Sequence, residues 1–293
     1  MKQRILTALL LICILLPVLF LSGTIIFPIV AAVFSFLAVY EVLSCLGTLK
    51  KPVISAPTLA LAALLPLSLL LFGKLDGSLQ LGEIDVQTRA FFLLLVFAVF
   101  VLLMFYLFAV AVFARRSISF SELASSFVSS FYVINSFLAI LLIRFGEYGQ
   151  FYYLLCFIGP WMTDIFAYFT GYFFGRHKLI PEISPKKTIE GSIGGILFCI
   201  LSFLVFGVIA GGILERTPNY LMLAALGLFV SVLAQIGDLF ASLLKRERGI
   251  KDFSNIFPGH GGIMDRFDSV LAISPLLLIV CTIDHLLPFN LLL

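Results

Sequence analysis

Apolar residues gather in nine runs along the chain, at residues 5–21, 24–45, 53–72, 90–114, 123–143, 150–174, 191–214, 220–244 and 267–287. Each approaches or exceeds the roughly 20 residues that carry a helix across the ~30 Å hydrocarbon core of a bilayer. Polar residues fall mainly in the gaps. The pattern predicts an all-α polytopic membrane protein of about nine transmembrane helices with short connections. A spanning β-barrel would need segments of about ten residues with alternating character, and the chain has none. Pro17 interrupts the first run, and only Ser22-Gly23 separates it from the second. Lys2 and Arg4 precede that run as they would in a signal peptide, but Leu21-Ser22-Gly23 is not a cleavage site of the A-x-A type. We read the run as a retained span.

Composition agrees and narrows the function. Of 293 residues, 61% are hydrophobic and 12% charged, with a mean hydropathy of +1.16. A soluble domain carries about twice that share of charge. A soluble enzyme, a disordered chain and a nucleic-acid reader are therefore excluded. Cys13, Cys45, Cys156, Cys199 and Cys281 all lie in or beside apolar runs, without CxxC spacing. They read as small buried hydrophobes rather than a zinc site or a disulfide framework.

The net charge of +3 matters less than its distribution. With a cytoplasmic N-terminus and alternating spans, the cytoplasmic side receives 15 of the 19 Lys and Arg residues, and the far side only Lys74, Arg89, Arg144 and Arg216. Positive charge of this asymmetry sets orientation. Residues 175–190 and 245–266 become the two longest cytoplasmic loops. Residues 73–89, with Asp76, Glu83 and Asp85, become an outer connector. We divide the chain into an N-terminal region of four spans, 1–115, and a region of five spans, 116–293, in which the chemistry is expected.

Ionisable residues inside a span are candidate functional groups by default. Glu41, near the inner end of the second run, reads as an interfacial carboxylate beside Lys50 and Lys51. Asp164 lies well inside the sixth run with no cation in that run, and is expected in a polar cavity. Asp238, Ser242 and Lys245 are spaced four and three apart, which aligns them on one helix face. A basic stretch follows, with Lys245, Arg246, Arg248 and Lys251. Then come Phe257-Pro258-Gly259-His260-Gly261-Gly262, and Asp265-Arg266-Phe267-Asp268. The glycines permit close approach of backbone to a ligand. Asp265 and Asp268 share a helical face if the last span begins there. Two caps and a salt bridge would account for the carboxylates. Carboxylates with basic groups at one depth point instead to Mg²⁺ held by Asp238, Asp265 and Asp268 together with a phosphate substrate. In the other loop, Ser184-Pro185-Lys186-Lys187-Thr188-Ile189-Glu190-Gly191 reads as a helix start with Ser184 as N-cap and Pro185 at N1. Two lysines in a first turn oppose the helix dipole, and a bound phosphate would relieve that conflict.

These stretches together resemble a known family. From Ser242-Leu243-Leu244-Lys245-Arg246 through Lys251-Asp252-Phe253 to Asp265-Arg266-Phe267-Asp268, every fixed position of the phosphatidate cytidylyltransferase (CDP-diglyceride synthase) signature is present over 27 residues. Asp164 through Gly175, Ser184 through Gly191, and Gln235 through Asp238 resemble the same family. The resemblance covers residues 160–270. It implies a reaction in which CTP and phosphatidic acid give CDP-diacylglycerol and pyrophosphate with Mg²⁺, a monovalent cation such as K⁺ being an open addition. It further implies an all-helical fold with a polar cavity open to the cytoplasm, and a homodimer. On that basis Asp265, Asp238, Lys245 and Arg266 are the catalytic candidates. Ser184, Lys186, Lys187, Thr188, Arg246, Lys251, His260, Gly261 and Gly262 are assigned to substrate phosphates. Asp164, Ser242 and Glu190 are assigned to the cavity. A CTP-dependent lipid kinase or a CDP-isoprenoid-lipid synthase would share these groups. An ion-coupled transporter is the rival of a different class, but its charges would sit near the midplane in related halves, whereas here they crowd one face and the last third.

Overall fold

The computed structural model describes Cys13 and residues 16–73, 79–114 and 117–286, the side chains of the last two excepted. Of the first apolar run only Cys13 and residues 16–21 are included, and residues 16–20 are helical. The remainder of that expected span lies outside the described residues, as do Lys74, Asp76, Arg115 and Arg116. The eight later runs each form a helix: α1 (Ile26–Leu46), α2 (Pro52–Ser68), α3 (Val86–Phe113), α4 (Phe120–Arg144), α5 (Gly149–Phe174), α6 (Ile189–Leu214), α7 (Tyr220–Glu247) and α8 (Met264–Leu286). A 3₁₀ turn, Leu69–Leu71, extends α2. All eight are long and apolar enough to cross a membrane, at 20 to 28 residues. At 1.5 Å per residue these lengths match the hydrocarbon thickness. The chain is a multi-pass membrane protein.

The chain divides into two compact units: residues 1–147 with 252–266, and residues 148–251 with 267–293. In the first, α1, α2 and α4 pack together and α3 lies against α2 and α4. Helix α3 buries one stripe, including Phe92, Val96, Phe100, Leu103 and Leu107, and exposes Phe91, Leu94, Phe97, Leu102 and Phe105 on the rest of its surface. An apolar face that meets no protein is suited to lipid. Polar ends are tied locally. Asp85 caps α3 through Thr88, and Ser119 with Glu122 forms a capping box at α4.

In the second unit α5, α6 and α7 pack against one another. Small residues bring α5 and α6 close: a Cβ on Gly191, Gly194 or Gly195 would meet Ala167 O, Thr170 or Thr163 O within 3 Å. Such small-residue seams are the usual way membrane helices approach closely. Thr163 of α5 donates to Ser231 of α7 at 2.9 Å. Gly237 of α7 abuts Ala272 and Asp268 O of α8.

One local expectation is corrected. Residues 184–188 do not open a helix. They form strand β2 (Ser184–Thr188), paired antiparallel with β1 (Lys178–Ile180). The helix starts at Ile189, with Thr188 as N-cap accepting from Gly191 N at 3.1 Å. Pro185 is tolerated because a two-stranded ribbon is all edge. Lys186 and Lys187 are therefore strand residues, and the argument from an opposed helix dipole does not apply to them. The acid in the first turn of α6 is Glu190, which the dipole favours.

Candidate active site

The β-hairpin, the C-terminal half of α5 and the start of α6 line an open cavity of about 560 Å³ within the second unit. On α5, Asp164, Tyr168, Gly171 and Gly175 recur at intervals of four, three and four, which places them on one helical face lining it. Thr188 fits against that face because Gly171 and Gly175 have no Cβ, and one built there would meet its side chain within 3 Å. The hairpin contributes Lys178, Ser184, Lys186, Lys187 and Thr188, and Ser192 and Gln235 also line it. Ser192 Oγ donates to Gln235 Oε1 at 2.5 Å, fixing the amide at the cavity wall.

Charge is concentrated around this cavity. Lys187 forms an ion pair with Asp238 of α7. Asp268 of α8 is 8% exposed. The charges within its electrostatic reach are Asp238 first, then Lys245 and Asp164. Lys245 is itself 8% exposed, although it lies in the last turn of α7. Buried charges are retained only when paired, hydrogen-bonded or metal-bound. Three carboxylates and two ammonium groups thus gather in one polar region. Asp238, Ser242 and Lys245 lie along a continuous helix, as their spacing predicts.

Other expected residues have different surroundings. Glu190 accepts from the amides of Arg176 at 3.1 Å and His177 at 3.2 Å, and pairs with the His177 ring at 2.6 Å. It pins the entry to the hairpin and is not among the lining residues. Arg246 is exposed and donates to Ile250 O at 3.1 Å, and Lys251 is also exposed.

In the first unit, Asp265 lies in the first turn of α8 rather than at its cap. Its Oδ2 accepts from Gly262 N at 3.0 Å and Phe253 N at 2.8 Å. Gly261 adopts φ +82°, and a Cβ there would come within 2.7 Å of the Asp265 carboxylate. His260 is half-buried in the turn from Phe257 to Gly261, and Arg266 is exposed. Glu41 corrects the sequence reading. It does not pair with Lys50 or Lys51. Lys51 pairs with Glu122 at 2.7 Å, and Glu41, 1% exposed, binds the 253–264 loop. Lys178 and Ser192 also line the cavity, where the sequence does not lead one to expect them, and so do Tyr168 and Gln235, which lie in stretches that carry the family resemblance. For Tyr168 the signal was the four-residue interval from Asp164.

A model of the cytidylyltransferase family matches residues 2–284. The chain belongs to the cytidylyltransferase family. Relatives of this cytidylyltransferase include a protein of Bacillus subtilis (strain 168) named phosphatidate cytidylyltransferase, 35% identical over 282 residues, which are 94% of this chain and 96% of that one. A protein of the same name from Staphylococcus haemolyticus (strain JCSC1435) is 33% identical over 279 residues, 94% of this chain and 97% of its own. A third, from Aquifex aeolicus (strain VF5), is 43% identical over 162 residues, 55% of this chain and 59% of its own. As a cytidylyltransferase, the protein is a nucleotidyl-transferring enzyme.

Proposed function

We propose that the protein transfers the cytidylyl group of CTP to phosphatidic acid, giving CDP-diacylglycerol and pyrophosphate for phospholipid synthesis. The relatives' names supply the substrates, and the alternative kinase, isoprenoid and transporter readings are not favoured by them. The observation that carries the reading to a site is the cavity of the second unit, where Lys178, Lys186 and Lys187 face Asp164 beside the Lys187–Asp238 pair.

The chemistry needs little covalent help. A phosphate monoester has a second pKa of about 6, so phosphatidic acid is largely a dianion at neutral pH and requires no general base. Its oxygen attacks the α-phosphorus of CTP, the bond from that phosphorus to the bridging oxygen breaks, and pyrophosphate leaves. The barrier is repulsion between two anions and the loss of freedom on alignment. Lys186, Lys187 and Lys178 neutralise phosphate charge. Ser184 and Thr188 offer hydroxyl groups, and the hairpin holds them in one register. Lys245 offsets the carboxylates deeper in.

The donor set fits a Mg²⁺ ion. Among the described residues no three His, Cys, Asp or Glu side chains converge as a ready cage, but Mg²⁺ uses one or two carboxylates with waters and substrate phosphates. Asp238 and the buried Asp268, like charges within reach of each other, would hold it. When bound, the ion supplies positive charge to the triphosphate. Asp265, whose Oδ2 accepts two amides, we assign to holding its loop. Arg266, His260, Gly261 and Gly262 are assigned to the nucleotide by the family resemblance alone. Arg246 and Lys251 are exposed basic groups suited to the anionic membrane surface.

We place the N-terminus and the cavity mouth on the cytoplasmic side of a bacterial cytoplasmic membrane, from the 15-to-4 charge split, and expect a homodimer. A single cysteine at Arg248 should then react with an impermeant reagent only from the cytoplasm, and one at Glu215 only from outside. Labelling of both from one side would refute this orientation. For the reaction, purified protein with labelled CTP and a panel of lipid phosphates should yield CDP-lipid and pyrophosphate in equal amounts with phosphatidic acid. Release of CDP with a phosphorylated lipid would identify a kinase instead.

A further inference from the structure

We infer that Glu41 of α1 is a positioning residue that fixes the shape of the 253–264 loop from outside it. The carboxylate is 1% exposed. Its Oε1 accepts from Ser254 Oγ at 2.5 Å and Ile263 N at 3.0 Å, and its Oε2 accepts from Met264 N at 2.8 Å. Ile263 and Met264 carry amides at the opening of α8, where a helix has no acceptors of its own. Glu41 therefore caps a helix that begins more than 200 residues later, as the sequence separation of 223 to Met264 shows. Negative charge at that end is also favoured by the dipole. The loop is shaped to admit it: a Cβ on Gly262 would lie 2.1 Å from Glu41 Oε1. Gly262 is thus required by a carboxylate of the protein itself. Glu41 takes Ser254 at the start of the loop and Ile263 and Met264 at its end. Asp265 takes Phe253 and Gly262, the adjoining pair. Two carboxylates thereby hold both ends of the same loop.

The consequence for activity rests on the reading that this loop, which carries the family signature, serves the transfer reaction. Glu41→Gln is not conservative here. An amide offers one acceptor oxygen and sets its NH₂ against an incoming backbone N–H. In the full-length protein in nanodiscs, kcat/KM for CTP should fall at least about tenfold, with KM for phosphatidic acid unchanged within about twofold. Hydrogen exchange at the amides of Ile263 and Met264 should speed up, while that of Ile250, bonded to Lys245 O, stays as it was. A folded Glu41→Gln protein with wild-type kcat/KM overturns the inference. So does lost activity with unchanged protection of those two amides. Should Glu41→Gln fail to fold, Ser254→Ala removes one of the three hydrogen bonds and decides the matter. The inference requires a loss of about threefold in kcat/KM for CTP, and wild-type kinetics contradict it. Wild-type protein run alongside separates the two readings, since wild type that makes no CDP-lipid refutes the reaction rather than the loop contact.

Discussion

Glu41 in the first unit and Asp238 in the second are both carboxylates inside apolar helices, yet they meet opposite environments. Glu41 is enclosed by a hydroxyl and two backbone amides, all neutral donors from one loop. Asp238 meets the Lys187 ammonium and stands within electrostatic reach of Asp268. The first arrangement satisfies a charge with fixed dipoles and leaves nothing for a substrate. The second sets charges of both signs together, with Lys187 lining a cavity of about 560 Å³. Of the two, it is Asp238 whose partner, Lys187, is itself charged and lines open space.

The contrast breaks most sharply at Asp238. Asp238→Asn keeps size and hydrogen bonding while removing charge, and should lower Mg²⁺-dependent turnover by about a thousandfold or more with little change in the melting curve. Turnover near wild type would reduce Asp238 to a partner for Lys187. Lys187→Gln should lose about ten- to a hundredfold if Lys187 is, as proposed, one of several cations that neutralise phosphate. A rise in KM for CTP at unchanged kcat would show that Lys187 binds ground state and transition state alike.

At the polar helix ends of the first unit, away from Glu41, the expected effects are on stability. Lys51→Ala breaks the pair with Glu122, both side chains partly exposed, and should cost roughly 0.5 kcal/mol by thermal melting with turnover unaltered. The smallest effect concerns Asp85. The hydroxyl and amide of Thr88 hold its carboxyl below the ordinary range. Its cap therefore contributes above the unfolded pKa and is lost as pH falls through the lower folded value. Melting curves of wild type and Asp85→Ala should differ slightly at neutral pH and converge below about pH 4. A difference that grows on acidification would contradict the sign.

Much of the fold was legible because spans are local. An apolar run of 20 residues needs no distant partner to declare itself, and all eight later runs became helices at nearly the expected places. What escaped depends on distant pairing. Ser184-Pro185 reads as a helix start in isolation. The ladder to Lys178–Ile180 and the Thr188 cap move that start to Ile189. Glu41 looked toward Lys50 and Lys51, its neighbours in sequence, while its donors lie 213 to 223 residues away. In the candidate site, Asp164 was legible from its charge inside an apolar span, whereas Lys186 and Lys187 were picked out by a helix-dipole argument that their strand conformation removes, and the structure sets all three around one cavity. Lys178 and Ser192 gave no such signal, being ordinary residues until the hairpin and α6 bring them to the same wall, where Gln235, from a stretch that carries the family resemblance, joins them.

If the cavity of the second unit receives the triphosphate, loss of its hairpin lysines must weaken the binding of CTP. Equilibrium binding of labelled CTP with Mg²⁺ to the full-length protein tests it directly, comparing Lys186→Ala with Lys187→Ala in one variant against Lys50→Ala with Lys51→Ala in another. The hairpin variant should lose at least about tenfold in affinity, and the first-unit variant should bind as wild type. Equal binding by both variants, or a loss confined to Lys50 and Lys51, would contradict it.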